Sequence, residues 1–248
     1  MSAISDLLSA PGSFVIGHRG AAGLAPENTL PSFQHALDWR CPMIELDVHL
    51  TSATAQAQDI VVIHDRKLSR TTNGTGLVAD HSLAQLRLLD AGNGAGIPTL
   101  TDVFSLLQQH QVRHGQTVAL NIELKGADTG PAIARWLDAH ARWPVVVSSF
   151  SHRELRRFRE LDNITPVAPL FDKYRKDWLV TATSLQAVGV NLSLKLASVR
   201  WVREISAAGF PVSVYTVNDP AVALQLRDRG VKGIFTDRPD LLIPALSA

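Results

Sequence analysis

The chain has 248 residues, 46% hydrophobic and 19% charged, with a formal net charge of +1. That balance excludes a disordered chain, and the near-zero charge provides neither a basic surface for nucleic acid nor a polybasic patch for a membrane. The single cysteine, Cys41, has no partner for an intramolecular disulfide and belongs to no cysteine cluster; placed before Pro42 at a strand entrance, it reads as a small buried hydrophobe. Roughly 150 residues per domain would admit two domains, but α/β barrels run to about 250 residues as one. The segment Met1 to Gly12 lacks the basic residue and apolar run of a signal peptide, and no stretch approaches the roughly 20 apolar residues of a membrane span. A soluble protein of a reducing compartment, the cytoplasm, is expected.

Phe14 to Gly17 reads as a buried strand that delivers His18, Arg19 and Gly20 to its exit. Leu30 to Trp39 follows as a helix, with Asn28 or Thr29 as N-cap and Pro31 in the first turn. Met43 to Val48 is a strand, and Ile60 to Ile63 is an apolar run ending at His64 and Asp65. Arg66 to Ile97 is a turn-rich insertion with a short helical piece at Ser82–Leu89. Thr99 to His110 is a helix opened by Thr99 and Asp102 at capping-box spacing. Strands are then predicted at Val118–Leu124, Val145–Ser148, Pro166–Leu170, Val188–Asn191, Val212–Tyr215 and Gly233–Thr236. Between and after them come helices at Pro131–His140, Ser151–Leu161, Lys176–Thr183, Ala197–Ala208, Pro220–Arg229 and Pro239–Leu246, with Ser151 and Glu154 as a second capping box. No composition shift divides the chain, so one domain over residues 1–248 is expected, with an insertion at about 66–97.

Nine apolar runs are one too many for a closed barrel of eight. The surplus run is Ile60–Ile63, because the residues between Val48 and Ile60 are too few for a helical crossover. Val48 to Ile63 is therefore predicted to fold as an antiparallel excursion above the barrel mouth that returns His64 towards the site. The remaining strands make a (β/α)8 TIM barrel with a small insertion after the second strand, its site at the strand C-terminal ends.

Glu45 and Asp47 lie on one face of their strand, and Glu123 lies in another apolar strand. Burying carboxylates without a counter-charge is expensive. Two arrangements answer that cost. One is a hard divalent cation, Mg²⁺ or Ca²⁺ with Mn²⁺ also suited, held by Glu45, Asp47 and Glu123. The other is a metal-free set of ion pairs with Arg19 and Lys125, in which three acids outnumber two cations. His18 and His64 exchange protons near neutral pH, and Arg19 can fork onto two phosphate or carboxylate oxygens.

Taken in order, His18-Arg19-Gly20 with Pro26-Glu27-Asn28-Thr29, Glu45-Leu46-Asp47, His64-Asp65, Pro98-Thr99-Leu100 and Glu123-Leu124-Lys125 resemble the glycerophosphodiester phosphodiesterase family. Tyr215-Thr216-Val217-Asn218 and Thr236-Asp237-Arg238-Pro239 extend the resemblance, which runs from about Val15 to Pro239. The resemblance implies a barrel enzyme that hydrolyses small glycerophosphodiesters to glycerol 3-phosphate and an alcohol, with one divalent cation. Glu45, Asp47 and Glu123 would ligate that cation, and Arg19 and Lys125 would neutralise the phosphate. His18 is preferred as general base and His64 as general acid. Phe150 and Tyr215 are candidate walls for the glycerol backbone. Glu27 would order the loop or a neighbouring base, and Asn28 would either approach the metal or cap the helix. In the family the glycerol hydroxyl next to the phosphate is thought to attack first, forming a cyclic phosphate that water opens; direct attack by water is the alternative.

Two further readings compete. A related barrel phosphodiesterase acting on lysophospholipid or phosphoinositide head groups would need an apolar rim, and the loops here are polar. A catalytically silent barrel serving as a binding module would have lost a histidine or a carboxylate, and none is missing. The chain departs from the family where relatives follow the Thr of the carboxylate strand with a tight Asp-Gly turn. Here Thr51 is followed by Ser52 to Gln58 without glycine, so the register of His64 is set less tightly than that of His18. The acid after Leu100 comes at Asp102, one residue later than is common. His35, His81, His110, His114, His140 and His152 read as solvated and the five Trp as packing, while His49 stands near enough to the site to remain a candidate.

Overall fold

Alternation along each strand separates two sets of side chains. In the computed structural model, which describes residues 3–52, 58–140 and 143–247, Ile44, Leu46 and Val48 pack outward against the helices, whereas Met43 packs into the barrel. The strands are β1 (Phe14–Gly17), β2 (Met43–Leu50), β3 (Ile60–Val62), β4 (Ala119–Leu124), β5 (Val145–Ser149), β6 (Val167–Phe171), β7 (Val190–Ser193), β8 (Val212–Tyr215) and β9 (Gly233–Thr236). Their order is β1-β9-β8-β7-β6-β5-β4-β2-β3, and β1 also pairs with β2 in parallel. Eight parallel strands therefore close a (β/α)8 TIM barrel. β3 stays outside it, antiparallel to β2 with Val62 opposite Val48, as the short spacing predicts. The tip of that excursion, residues 53–57, lies outside the described residues, as does Met1–Ser2 of the N-terminal segment.

The helices are α1 (Ala3–Ser9), α2 (Leu30–Asp38), α3 (Leu83–Leu86), α4 (Leu100–His114), α5 (Thr129–Ala139), α6 (His152–Arg159), α7 (Trp178–Ser184), α8 (Val199–Ala207), α9 (Pro220–Asp228) and α10 (Pro239–Ser247). Thr29, not Asn28, caps α2, its hydroxyl accepting from the Ser32 N–H. Thr99 and Asp102 form the reciprocal capping box of α4, which runs four residues beyond the predicted end at His110 to the left-handed Gly115. The second predicted box is only half made. Ser151 accepts from the Glu154 N–H, but the Glu154 carboxylate turns away to accept from the Gly130 N–H on α5.

Three further expectations fail for tertiary reasons. α1 was not foreseen, and its Ile4, Leu7 and Leu8 pack on Ile16, Met43, Ala119 and Phe235, closing the barrel floor. His152 is buried rather than solvated and shares a hydrogen bond with the Leu170 carbonyl. Trp39 is exposed at the end of α2, whereas Trp178 and Trp201 do pack in the core. The 66–97 insertion has its own small core, Leu68, Val78, Leu86, Ala91 and Ile97, seated on Val61 and Ile63. Among the described residues no helix is long and apolar enough to cross a membrane.

Candidate active site

Strand register brings the acids together. Asp47 on β2 lies directly beside Glu123 on β4, and Glu45 sits two residues earlier on the same face. All three are buried, and one oxygen from each lies within 4.8 Å of the others. Glu45 Oε2 accepts from the Arg19 N–H at 2.8 Å, an amide aimed by the left-handed Arg19 (φ 50°) and Gly20 (φ 87°). Gly20 is obligatory there, since a Cβ would stand 2.6 Å from the Ser32 carbonyl carbon. Asp47 Oδ2 accepts from Asn28 Nδ2 at 2.8 Å, and Asn28 Oδ1 accepts from the Asp47 N–H. Asn28 thus orients a carboxylate instead of capping α2.

The two cations serve these acids unevenly. Arg19 Nε lies 3.3 Å from Asp47 Oδ2, and Lys125 Nζ lies 3.2 Å from Asp47 Oδ1 while also pairing with Glu123. Among the described residues no side-chain cation comes within ion-pair distance of Glu45, whose Oε1 is buried without a hydrogen-bond partner. Burial, then the charges of Asp47 and Glu123, pushes the Glu45 carboxyl well above the ordinary range. Burial opposes the Asp47 anion too, but Lys125 and Arg19 outweigh it and hold that carboxyl low. Metal-free ion pairing therefore accounts for Asp47 and Glu123 and leaves Glu45 unexplained.

His18 leaves the end of β1 and His64 follows β3. Both line a pocket of about 160 Å³ with Arg19, Glu45, Glu123 and Lys125. Its other wall is apolar: Phe150 and Tyr215 meet edge to face at 5.7 Å, beside Leu170 and Phe235. The Tyr215 hydroxyl donates to the Phe171 carbonyl, so the ring presents its face and edge, not its oxygen, to the pocket.

Each histidine is held by a carboxylate on Nδ1. His18 Nδ1 donates to Asp237 Oδ1 at 2.6 Å, and Asn218 Nδ2 donates to Asp237 Oδ2 at 2.8 Å. His64 Nδ1 donates to Asp65 Oδ1 at 2.5 Å. Both carboxyls lie below the ordinary range and so accept the ring proton: hydrogen bonds from Arg70 dominate at Asp65, and at Asp237 the His18 bond overcomes the cost of burial. Arg70, from the insertion, forks across Asp65 and Glu27, and Glu27 in turn accepts from Arg19 Nη1 at 2.8 Å. Glu27 thus orders Arg19 and Arg70 and points no oxygen at the acid cluster. His49 is buried behind His64, sharing a hydrogen bond with its carbonyl.

Every sequence-predicted site residue thus gathers at the strand C-terminal ends. Missed were Asp237, Asn218, Asp65 and Arg70, although Asp237 and Asn218 stand in the matched C-terminal segments and Asp65 follows His64 directly.

The model of the glycerophosphoryl diester phosphodiesterase family matches residues 18–241. The Bacillus subtilis protein YhdW is 36% identical over 246 residues, covering 93% of this chain and 96% of that one. A glycerophosphodiester phosphodiesterase of the same organism is 32% identical, covering 95% of this chain and 87% of its own. Among solved structures, an Oleispira antarctica phosphodiesterase in complex with the product sn-glycerol-3-phosphate superposes with a TM-score of 0.86 at 30% identity, covering all of both chains.

Proposed function

The chain belongs to the glycerophosphoryl diester phosphodiesterase family, and from that premise we propose that it hydrolyses small glycerophosphodiesters to glycerol 3-phosphate and an alcohol with the aid of one divalent cation. The observation that carries the cation is Glu45 Oε1, a buried carboxylate oxygen with no partner inside a cluster of three acids. Hard oxygen ligands of this kind suit Mg²⁺, Ca²⁺ or Mn²⁺, and Glu45, Asp47 and Glu123 would hold it. When bound, such a cation supplies Lewis-acid stabilisation of charge on a phosphate oxygen. The product complex of the Oleispira antarctica relative supports glycerol 3-phosphate as the moiety retained in the pocket.

The chain's own residues do the rest. A phosphodiester carries one negative charge and gains more as a nucleophile adds, and Arg19 and Lys125 stand at the pocket to offset it. With Nδ1 of each imidazole committed to a carboxylate, Nε2 is the atom left to move a proton. His18 takes the proton of the glycerol hydroxyl next to the phosphate, and His64 gives one to the departing alcohol oxygen. The cyclic phosphate so formed is opened by water, the two rings exchanging roles. Phe150 and Tyr215 pack the glycerol carbons and exclude water from that side.

The test is a set of glycerophosphodiesters assayed for released glycerol 3-phosphate, before and after EDTA and with Mg²⁺, Ca²⁺ or Mn²⁺ restored. Full activity under chelator removes the cation; turnover of a substrate lacking the glycerol hydroxyl next to the phosphate favours direct attack by water.

A further inference from the structure

The pocket that holds both histidines measures about 160 Å³, small for a whole diester with its head group. A second cleft, of about 490 Å³, opens on the other side of His64 and Lys125, which line both. Its far wall comes from the insertion: Arg66, Lys67 and Leu77. A continuation of about 520 Å³ shares Arg66, Leu77 and Lys125 and runs out over Gly126. If His64 protonates the leaving oxygen, the alcohol departs into this cleft and not into the aromatic-walled pocket.

We infer that this cleft is the leaving-group subsite and that it selects alcohols bearing a further negative charge, such as a second phosphate or phosphodiester; the inference rests on the reaction proposed above. The charges decide it. Asp65 in the cleft wall is spent on Arg70 and His64, and Asp128 at the outer end is spent on Arg157 at 2.6 Å. Lys125 is committed to Asp47 and Glu123. Arg66 and Lys67 are exposed and, among the described residues, have no ion-pair partner. The cleft therefore presents two uncommitted cations and no uncommitted carboxylate. Among the described residues it also has no Phe, Tyr or Trp, the rings that make a cage for a quaternary ammonium. A choline group would meet like charge and no aromatic cage, while an anionic alcohol would meet Arg66 and Lys67 across a span the insertion sets.

The experiment compares kcat/KM of the full chain with Mg²⁺ for 1,3-bis(glycerophospho)glycerol, whose leaving alcohol carries a second phosphodiester, and glycerophosphocholine, whose leaving alcohol is cationic. The expected ratio is about 10-fold or more in favour of the anionic substrate at low salt, falling towards unity as ionic strength rises. Arg66→Glu/Lys67→Glu should invert the ratio, whereas Arg113→Glu, at the far end of α4, should leave it unchanged. A flat ratio in the wild type, or a double variant that slows both substrates equally, overturns the subsite while leaving the reaction standing. No turnover of either substrate with any cation overturns the reaction, and the subsite with it.

Discussion

Met43, Glu45 and Asp47 enter one barrel interior from one strand, yet the two ends of that interior obey opposite rules. At the floor, Met43 belongs to one apolar cluster with Ile16, Ala119, Val146, Ala168 and Phe235, against which α1 packs. Two and four residues later the same face carries carboxylates with too few counter-charges. The floor gains stability from apolar burial; the mouth gives some up to hold three buried acids together at the strand ends. The difference shows why the fold tolerates a costly site: the strain is local to the strand ends and is supported by a close-packed layer below.

Exchanging the two ends' demands should separate activity from stability. Glu45→Gln or His18→Ala at the mouth should lower kcat by at least ~10³-fold with Tm held within a few degrees, read by steady-state assay and thermal melts. Met43→Ala at the floor should do the reverse, costing on the order of 2 to 5 kcal/mol of stability in urea titration while kcat changes little. A Met43→Ala variant as inactive as Glu45→Gln would abolish the distinction.

Smaller effects should follow from the residues that hold the rings. Asp237→Asn keeps the shape but no longer favours the Nδ1–H tautomer of His18; a loss of roughly 10²-fold in kcat with little change in KM is expected, along with an altered pH profile. Arg70→Ala frees Asp65 and Glu27 together, and a loss on the order of 10-fold is expected. Arg70→Lys should recover part of it. Arg70 is half-exposed, so its pairs add little to stability and Tm should barely move.

The subtlest effect is a pH dependence. The Glu45 carboxyl is raised in the folded chain by burial and by its acidic neighbours. A raised carboxyl contributes stability below its unfolded value of about 4.5 and loses that contribution as pH rises through the folded value. Asp47, held low, contributes above about 3.8 and loses it only as pH falls further. The Glu45 contribution is therefore smaller at about pH 8 than at about pH 5, so the Tm of cation-free wild type should fall relative to that of Glu45→Gln over that window. His49, His64 and His152, held low by burial, act in the opposite sense in both proteins. Mg²⁺ should raise Tm more at the higher pH because it takes ionised ligands. Glu45→Gln should flatten that dependence; an unchanged slope in the variant would place its origin elsewhere.

Much of this was legible in the chain, and what was missed has a common cause. The spacing around Ile60–Val62 sufficed to expel β3 from the barrel, because a crossover needs length whatever surrounds it. The Thr99 capping box formed as predicted because both partners belong to one turn. The identical pattern at Ser151 was half broken because Glu154 found the Gly130 N–H of a neighbouring helix. His152 was misjudged because the Leu170 carbonyl that receives it lies on another strand. Among the site residues, the acids and histidines announced themselves as polar groups in apolar runs, whereas Asp237 is 219 positions from His18 and Arg70 is 43 from Glu27.

By itself, then, the amino-acid sequence determined what local physics can enforce: the alternation that makes strands, the caps that start helices, the chain lengths that permit or forbid a crossover, and the chemical types available at the strand ends. Only the closed barrel decided who neutralises whom. Ion pairs and hydrogen bonds depend on distances of a few ångströms between residues remote in the chain, so closure left Glu45 without an ion pair among the described residues, gave Asp65 to Arg70, and left Arg66 and Lys67 facing an open cleft.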